Sequence, residues 1–216
     1  MAKAKNKYKS LLENTAIFAI GTFSSKFLVY LLLPIYTIAM ATGEFGTADI
    51  LVQTTNLLVP LVTIGIINSI IRFGLDKSYR KSDVFTTGLI CVGIGFAFIL
   101  LFIPLVLSID KISNYTLILY LSVLMSSLRQ LCNQFVRAKG YIKLYAFDGF
   151  FATVTTCLLT ILFLLVFKLG ITGYMLAIIV TDFLSSTGLF IIASLYKHIK
   201  FKGLNLSVSK SMIKYA

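Results

Sequence analysis

Long apolar runs fill most of the chain, and short clusters of glycine, lysine and aspartate break them at fairly regular intervals. A helix that spans a bilayer needs about 20 mostly apolar residues. Six segments reach that length: Leu12–Met40, Thr47–Ile71, Val84–Ser108, Asn114–Ala138, Tyr145–Phe167 and Ile171–Tyr196. The links between them are short. Thr42 to Gly46 carries two glycines to turn the chain, and Asp83 is placed to cap the third helix. No link is long enough to fold alone. The pattern predicts an all-α fold, a polytopic membrane bundle of six transmembrane helices over residues 1–202, with a tail over 203–216.

Polar residues inside these runs fall at helical spacing. On the first helix Thr15, Thr22, Lys26 and Tyr30 share a face. On the second, Asp49, Gln53, Asn56, Pro60 and Thr63 do so. The fourth carries Ser122, Ser126, Gln130, Asn133 and Arg137, with Arg129 beside them. The sixth carries Asp182, Ser185 and Ser186. Such stripes face other helices or water rather than lipid. They serve either as packing seams joined by hydrogen bonds or as the lining of a cavity. Lys26 and Arg129 favour a water-filled cavity, because a basic residue at the helix centre costs about 2.5–3.5 kcal/mol on insertion scales. Lys26 lies about 21 Å along its helix, too deep to snorkel easily, whereas Arg129 is nearer the cytoplasmic side, where snorkelling is the alternative to a cavity. Asp182 is placed either to neutralise Lys26 or to carry a proton, and Asp148 reads as an interfacial residue or part of a first helical turn. Pro34 and Pro60 fall within helices and mark a static kink or a working hinge.

Composition narrows the class further. Of the 216 residues, 58% are hydrophobic and 13% charged, and mean hydropathy is +0.92. A soluble domain carries about 25% charged residues, so a water-soluble globule and a disordered chain are both excluded. The net charge of +12 raises the question of nucleic acid. Its distribution answers it. Sixteen of the twenty Lys and Arg lie at the N-terminus, in the second–third and fourth–fifth links and in the tail, whereas the other side has only Lys111 and Lys168. The positive-inside rule therefore predicts a multi-pass protein of the cell membrane with both termini cytoplasmic. Its basic residues meet anionic lipid headgroups, and no basic stripe outside the membrane exists for nucleic acid.

Other features carry less. The first apolar run is too long for a signal peptide and reads as a retained helix. Cys91, Cys132 and Cys157 lie in apolar runs, without metal-ligand spacing. His198, between Lys197 and Lys200, reads as a headgroup anchor. The glycines from Gly88 to Gly95 read as helix packing. No phosphate loop, HExxH or GxSxG motif occurs, so no enzyme, cofactor or metal is expected. Ser207 and Ser209 can cap a helix over Lys210 to Ala216, which is either a frayed terminus or the first turns of a seventh helix.

Several motifs, taken in order, resemble one family. Asn14-Thr15-Ala16-Ile17-Phe18-Ala19-Ile20-Gly21-Thr22-Phe23, Lys26-Phe27-Leu28 and Leu33-Pro34-Ile35-Tyr36-Thr37 look like the first helix of the polysaccharide exporters. These are the oligosaccharide flippases of the multidrug/oligosaccharidyl-lipid/polysaccharide superfamily. Glu44 to Asp49, Ile70-Ile71-Arg72-Phe73, Phe135 to Gly140, Gly170 to Ala177 and Ser211 to Ala216 are similar to later motifs of that family. The resemblance implies one lobe of a MATE-like two-lobe transporter, whose members have about twelve to fourteen helices around a central cavity. It also implies a cargo, a polyprenyl-diphosphate-linked oligosaccharide moved to the outer leaflet. A second six-helix lobe or a homodimer would complete the machine. Among the motif positions Lys26 and Arg72 are basic candidates for the anionic headgroup. Arg129 joins them from the stripe, and Thr22, Asp49, Gln53, Asn56, Gln130, Asn133 and Asp182 are expected to line the cavity.

Two other functions compete. A multidrug/cation antiporter of the same superfamily would need acidic groups in the cavity, and deep bases outnumber deep acids in the sequence. A non-transporting membrane scaffold of a polysaccharide assembly complex would use the stripes only as seams.

Overall fold

A computed structural model describes residues 30, 32–200 and 205–216, and among them the chain is helical with no strand. In chain order the helices are α1 (described over residues 32–39, the rest of the segment expected at Leu12–Met40 lying largely outside the described residues), α2 (Thr42–Thr63), α3 (Ile66–Leu75), α4 (Lys81–Leu100), α5 (Ile103–Leu107) and α6 (Asp110–Ser113). They continue as α7 (Thr116–Ala138), α8 (Ile142–Ile161), α9 (Gly170–Ile192) and α10 (Leu206–Tyr215). Four helical stretches are long and apolar enough to cross a membrane: Thr42–Thr63, Lys81–Leu100, Ile142–Val166 and Gly170–Ile192. α7 matches them in length but is less apolar, because it carries the densest polar stripe. Large apolar side chains such as Leu57, Ile94, Phe98, Leu117, Phe183 and Ile191 point outward. Water would penalise such a surface, whereas lipid would cover it, consistent with a multi-pass membrane protein.

Several predicted boundaries change. The second segment, expected as one helix over Thr47–Ile71, is two. α2 ends where Ile64 and Gly65 both take left-handed backbone (φ 48° and 68°), and α3 restarts at Ile66. Pro60 leaves α2 unbroken, and the chain turns one helical turn later, where the Ile64 N–H still reaches the Pro60 carbonyl at 2.9 Å. The third segment, expected to reach Ser108, ends at Leu100 and resumes as α5, with Pro104 in its first turn. The fifth starts at Ile142, three residues before its predicted start. It widens into a π-turn over Leu162–Val166, closed by the Phe167 N–H on the Leu162 carbonyl at 3.0 Å. The sixth ends at Ile192 rather than Tyr196, and a 3-10 turn, Leu195–His198, follows.

α7 is the hub, packed against α2, α3, α4, α8 and α9. Its C-terminus shows why a glycine stands at 140. Gly140 takes φ 83°, so that the Tyr141 N–H can reach the Val136 carbonyl at 3.2 Å and the Gly140 N–H the Arg137 carbonyl at 3.0 Å. Thr55 and Ser122 share a hydrogen bond of 2.8 Å across the α2–α7 seam. Phe85 of α4 meets Phe135 of α7, with ring centroids 4.6 Å apart. Gly95 lets α4 approach α2 so closely that a Cβ there would collide with the Val62 carbonyl.

The ends of α3, α7 and α9 and the starts of α4 and α8 gather at one end of the bundle, which holds most of the described basic residues. There Lys139 Nζ donates to the Ala193 carbonyl at 3.0 Å, and Thr86 Oγ1 to the His198 carbonyl at 3.1 Å. His198 lies edge-on to Phe135. Partial burial, then Lys139 and Lys200, hold its imidazole below its ordinary range.

The tail is neither frayed nor capped by Ser207 or Ser209. Asn205 is the cap, accepting from the Ser207 N–H at 3.1 Å, and the helix begins at Leu206. α10 docks on α3 and α4 through Ser69 Oγ to the Met212 carbonyl (2.7 Å), the Thr87–Ser209 hydroxyl pair (2.8 Å) and buried Met212.

The Gly95 contact gives a paired test. Gly95→Leu and Gly93→Leu remove the same helix-weakening glycine, but only residue 95 faces a backbone. Thermal unfolding in detergent should show Gly95→Leu destabilised by at least about 1–3 kcal/mol relative to Gly93→Leu. Equal stability of the two would show that α2 and α4 do not meet there.

Candidate functional site

The α7 stripe divides by depth. Nearer the far end, Ser122 is spent on the seam with Thr55. Further along, Ser126, Arg129 and Asn133 lie three and four residues apart, on one face. Arg129 sits about 14 Å from the basic end of α7, deep in the bundle. Beside it are Asp182 and Ser185 of α9 and Asp148 of α8.

Arg129 joins all three helices. Its Nη1 donates to Asp182 Oδ1 at 3.1 Å, its Nη2 to Asp148 Oδ2 at 3.4 Å and its Nε to Ser185 Oγ at 2.9 Å. Ser126 Oγ donates to the other oxygen of Asp182, and Ser185 Oγ to the other oxygen of Asp148. Asn133 Nδ2 adds a bond of 2.6 Å to Asp148 Oδ2. All four carboxylate oxygens are thus engaged. The side chains of Asp148 and Asp182 are 3% and 7% exposed, and that of Arg129 is 26% exposed. The carboxylates are therefore more enclosed than the guanidinium, and Asp148 lies behind it.

In front of it is a cavity of about 440 Å³ between α2, α7, α8 and α9. Asn56, Val59 and Pro60 form one wall; Ser126, Arg129, Gln130, Asn133 and Gln134 form the α7 wall, and Tyr145, Ile178 and Asp182 complete it. The lining is rich in amides. Because Asp148 is acceptor-only when ionised, the amide of Asn133 must turn its nitrogen to it. Its Oδ1, like Gln134 Oε1, is left without a partner among the described residues. The volume lies within the range of small-molecule sites, about 300–1,000 Å³.

The sequence candidates separate as follows. Arg129, Asn56, Gln130, Asn133 and Asp182 line this cavity. Asp49 and Gln53 do not; they are exposed on α2 and share a bond of 3.4 Å. Arg72 does not reach it either. It stands at the last turn of α3, its guanidinium 4.1 Å from the centroid of the Tyr215 ring on α10. A cation held over an aromatic face there is a clamp for the tail helix, not part of the cavity. Lys26 and Thr22 lie outside the described residues. The partner of Asp182 is Arg129, where Lys26 was one of the options.

Asp148 was missed. A predicted start at Tyr145 put it in the first turn of its helix, where an aspartate needs no partner beyond the backbone. The actual start at Ile142 places it almost two turns in and buried. With Asp148 included, two acids face one base among the described residues, the reverse of the excess of bases expected from sequence. No group of three or more His, Cys, Asp or Glu among the described residues is placed to hold a metal.

Removing the arginine should leave two buried carboxylates uncompensated. Arg129→Ala is expected to lower stability by about 3–5 kcal/mol. Adding Asp148→Asn and Asp182→Asn to it should recover much of the loss, because neutral amides need no counter-charge. Thermal unfolding in detergent measures both, and equal stability of the single and triple variants would mean that the ion pairs are not formed.

No family model matches the chain, and comparisons with curated proteins and with solved structures find no match.

Proposed function

We propose that the chain is a membrane transporter, one six-helix lobe of an exporter that moves polyprenyl-diphosphate-linked oligosaccharide across the cytoplasmic membrane. The observation that carries this reading is an arginine deep in an apolar bundle, facing a cavity lined with amides. An arginine so placed is costly and marks a substrate or ion path by default. Its fork of donors suits phosphate oxygens, and the amides Asn56, Gln130, Asn133 and Gln134 offer both donors and acceptors to sugar hydroxyls. The order of sequence motifs supports the same cargo. The lobe works against a second one, whether in the same product, a separate half or another copy, because alternating access needs two bodies that rock about a shared site.

The basic end of the bundle is cytoplasmic in this reading, and so are both termini. A cysteine placed at Gly43 should react only with a membrane-impermeant maleimide added outside whole cells, and one at Lys143 only after the membrane is opened. Labelling of residue 43 from the cytoplasm alone would overturn the orientation.

The acid excess around Arg129 favours a second reading, a cation-coupled or multidrug antiporter of the same superfamily. Cargo separates the two. In reconstituted vesicles a fluorescent prenyl-diphospho-sugar should be flipped, and Arg129→Lys should keep part of that rate, because charge remains while the paired donor geometry is lost. Efflux of cationic dyes with no flipping of the diphospho-sugar would install the antiporter reading.

A further inference from the structure

We infer that the Arg129–Asp148–Asp182 cluster binds an anion and a proton together: a carboxyl takes up one proton as the guanidinium turns to a diphosphate in the cavity. This deepens the export reading and rests on it.

The charge balance among the described residues points to such a step. With both aspartates ionised the three side chains carry one net negative charge, and an anion entering the cavity is repelled by the site that should hold it. Among the described residues nothing restores the balance. The titratable and charged groups near the cluster are Cys132 on α7, on the Asp148 side, and Tyr145 of α8 on the cavity wall; α2 contributes only Asn56, Val59 and Pro60. One proton removes the excess charge.

The hydrogen bonds allow it. Arginine has five N–H donors, and three are committed here, to Ser185, Asp182 and Asp148. One N–H on each Nη remains, and the guanidinium is the member of the cluster most open to the cavity. The other partners of the carboxylates are the hydroxyls of Ser126 and Ser185 and the amide of Asn133. Each of these can donate or accept. A protonated Asp182 can donate to Ser126. A protonated Asp148 can donate to Ser185, or to Asn133 after its amide turns over, and Asn133 Oδ1 is the acceptor now without a partner. A cluster built only to pin helices has no need of partners that serve both protonation states. The proton comes from the buffered solvent by way of cavity water: the bond to hydrogen in a buffer acid or hydronium breaks, its conjugate base stays in solution, and one carboxyl O–H bond forms. The diphosphate exchanges an arginine–carboxylate ion pair for an arginine–phosphate one, and no other bond changes.

By linkage, proton and anion each tighten the binding of the other. The test is calorimetric titration of the purified chain in lipid nanodiscs with a short-chain prenyl-diphospho-N-acetylglucosamine. This probe is a diphosphate diester whose phosphates stay ionised across the range used. Repeating the titration in two buffers of different ionisation enthalpy counts the protons exchanged. Uptake of about one proton per probe is expected, with Kd falling up to about tenfold for each unit that pH is lowered between about 8 and 6. Asp182→Asn should bind the probe with little pH dependence and little proton uptake. If that variant does not fold, the wild-type buffer pair decides alone. Saturable binding with no proton uptake and a flat pH profile would overturn the linkage and leave the export reading standing. No saturable binding at any pH would overturn both. Equal proton uptake with a neutral prenyl glycoside would overturn the anion half of the inference.

Discussion

The ion-paired arginine at the centre of α7 is the constraint on which the rest of the bundle depends. In lipid there is little hydrophobic force between helices, since the surrounding tails are as apolar as leucine. What brings such helices into one arrangement is close packing and the need to satisfy polar groups. Arg129 draws on α8 through Asp148 and on α9 through Asp182 and Ser185. Three helices are thereby held at one depth and one rotation. Small residues then let the other contacts close: Gly95 against Val62 between α4 and α2, and Gly88 against Leu131 and Ile70 where α4, α7 and α3 meet.

The same constraint leaves a cavity. Helices pinned through long polar side chains at mid-depth do not close on one another there as they do at Gly95. The space of about 440 Å³ in front of Arg129 has on its other side the wall of α2 at Asn56, Val59 and Pro60. One helical turn beyond Pro60 lies the left-handed pair Ile64–Gly65, which ends the wall helix α2 before the packed helix α3 begins. α3 itself is held by α10 through Ser69 and the stacking of Arg72 on Tyr215.

Polar residues in apolar helices thus have three different physical tasks here. Ser122 and Thr55, like Thr156 and Thr181, exchange hydroxyl hydrogen bonds across seams. Ser126, Ser185 and Asn133 support the buried charges. Asn56, Gln130 and Gln134 line open space. Helical spacing alone cannot assign these tasks, because residues of all three kinds recur along the same helical stripes.

The class of the molecule is legible in the pattern of residues. Runs of about 20 apolar residues admit only helices, since a lipid-facing backbone must satisfy its own hydrogen bonds. Hence α4, α7, α8 and α9 were legible to within a few residues, except where the third and sixth runs break up towards their C-terminal ends. The periodicity of α7 likewise showed that Ser126, Arg129, Gln130 and Asn133 share one side. What they face is set by the packing of α2, α8 and α9 around α7. The break at Ile64–Gly65 was hidden because isoleucine rarely takes left-handed backbone, and proline four residues earlier was the more obvious breaker. Arg72 and Arg129 look alike in sequence; one ends a short helix and covers Tyr215, the other is enclosed by two carboxylates. Asp148 shows the reason most plainly. Three residues at the start of α8 separate a solvent-facing first turn from a buried second one, and the difference is set by which arginine waits across the gap, on a helix that no local pattern identifies.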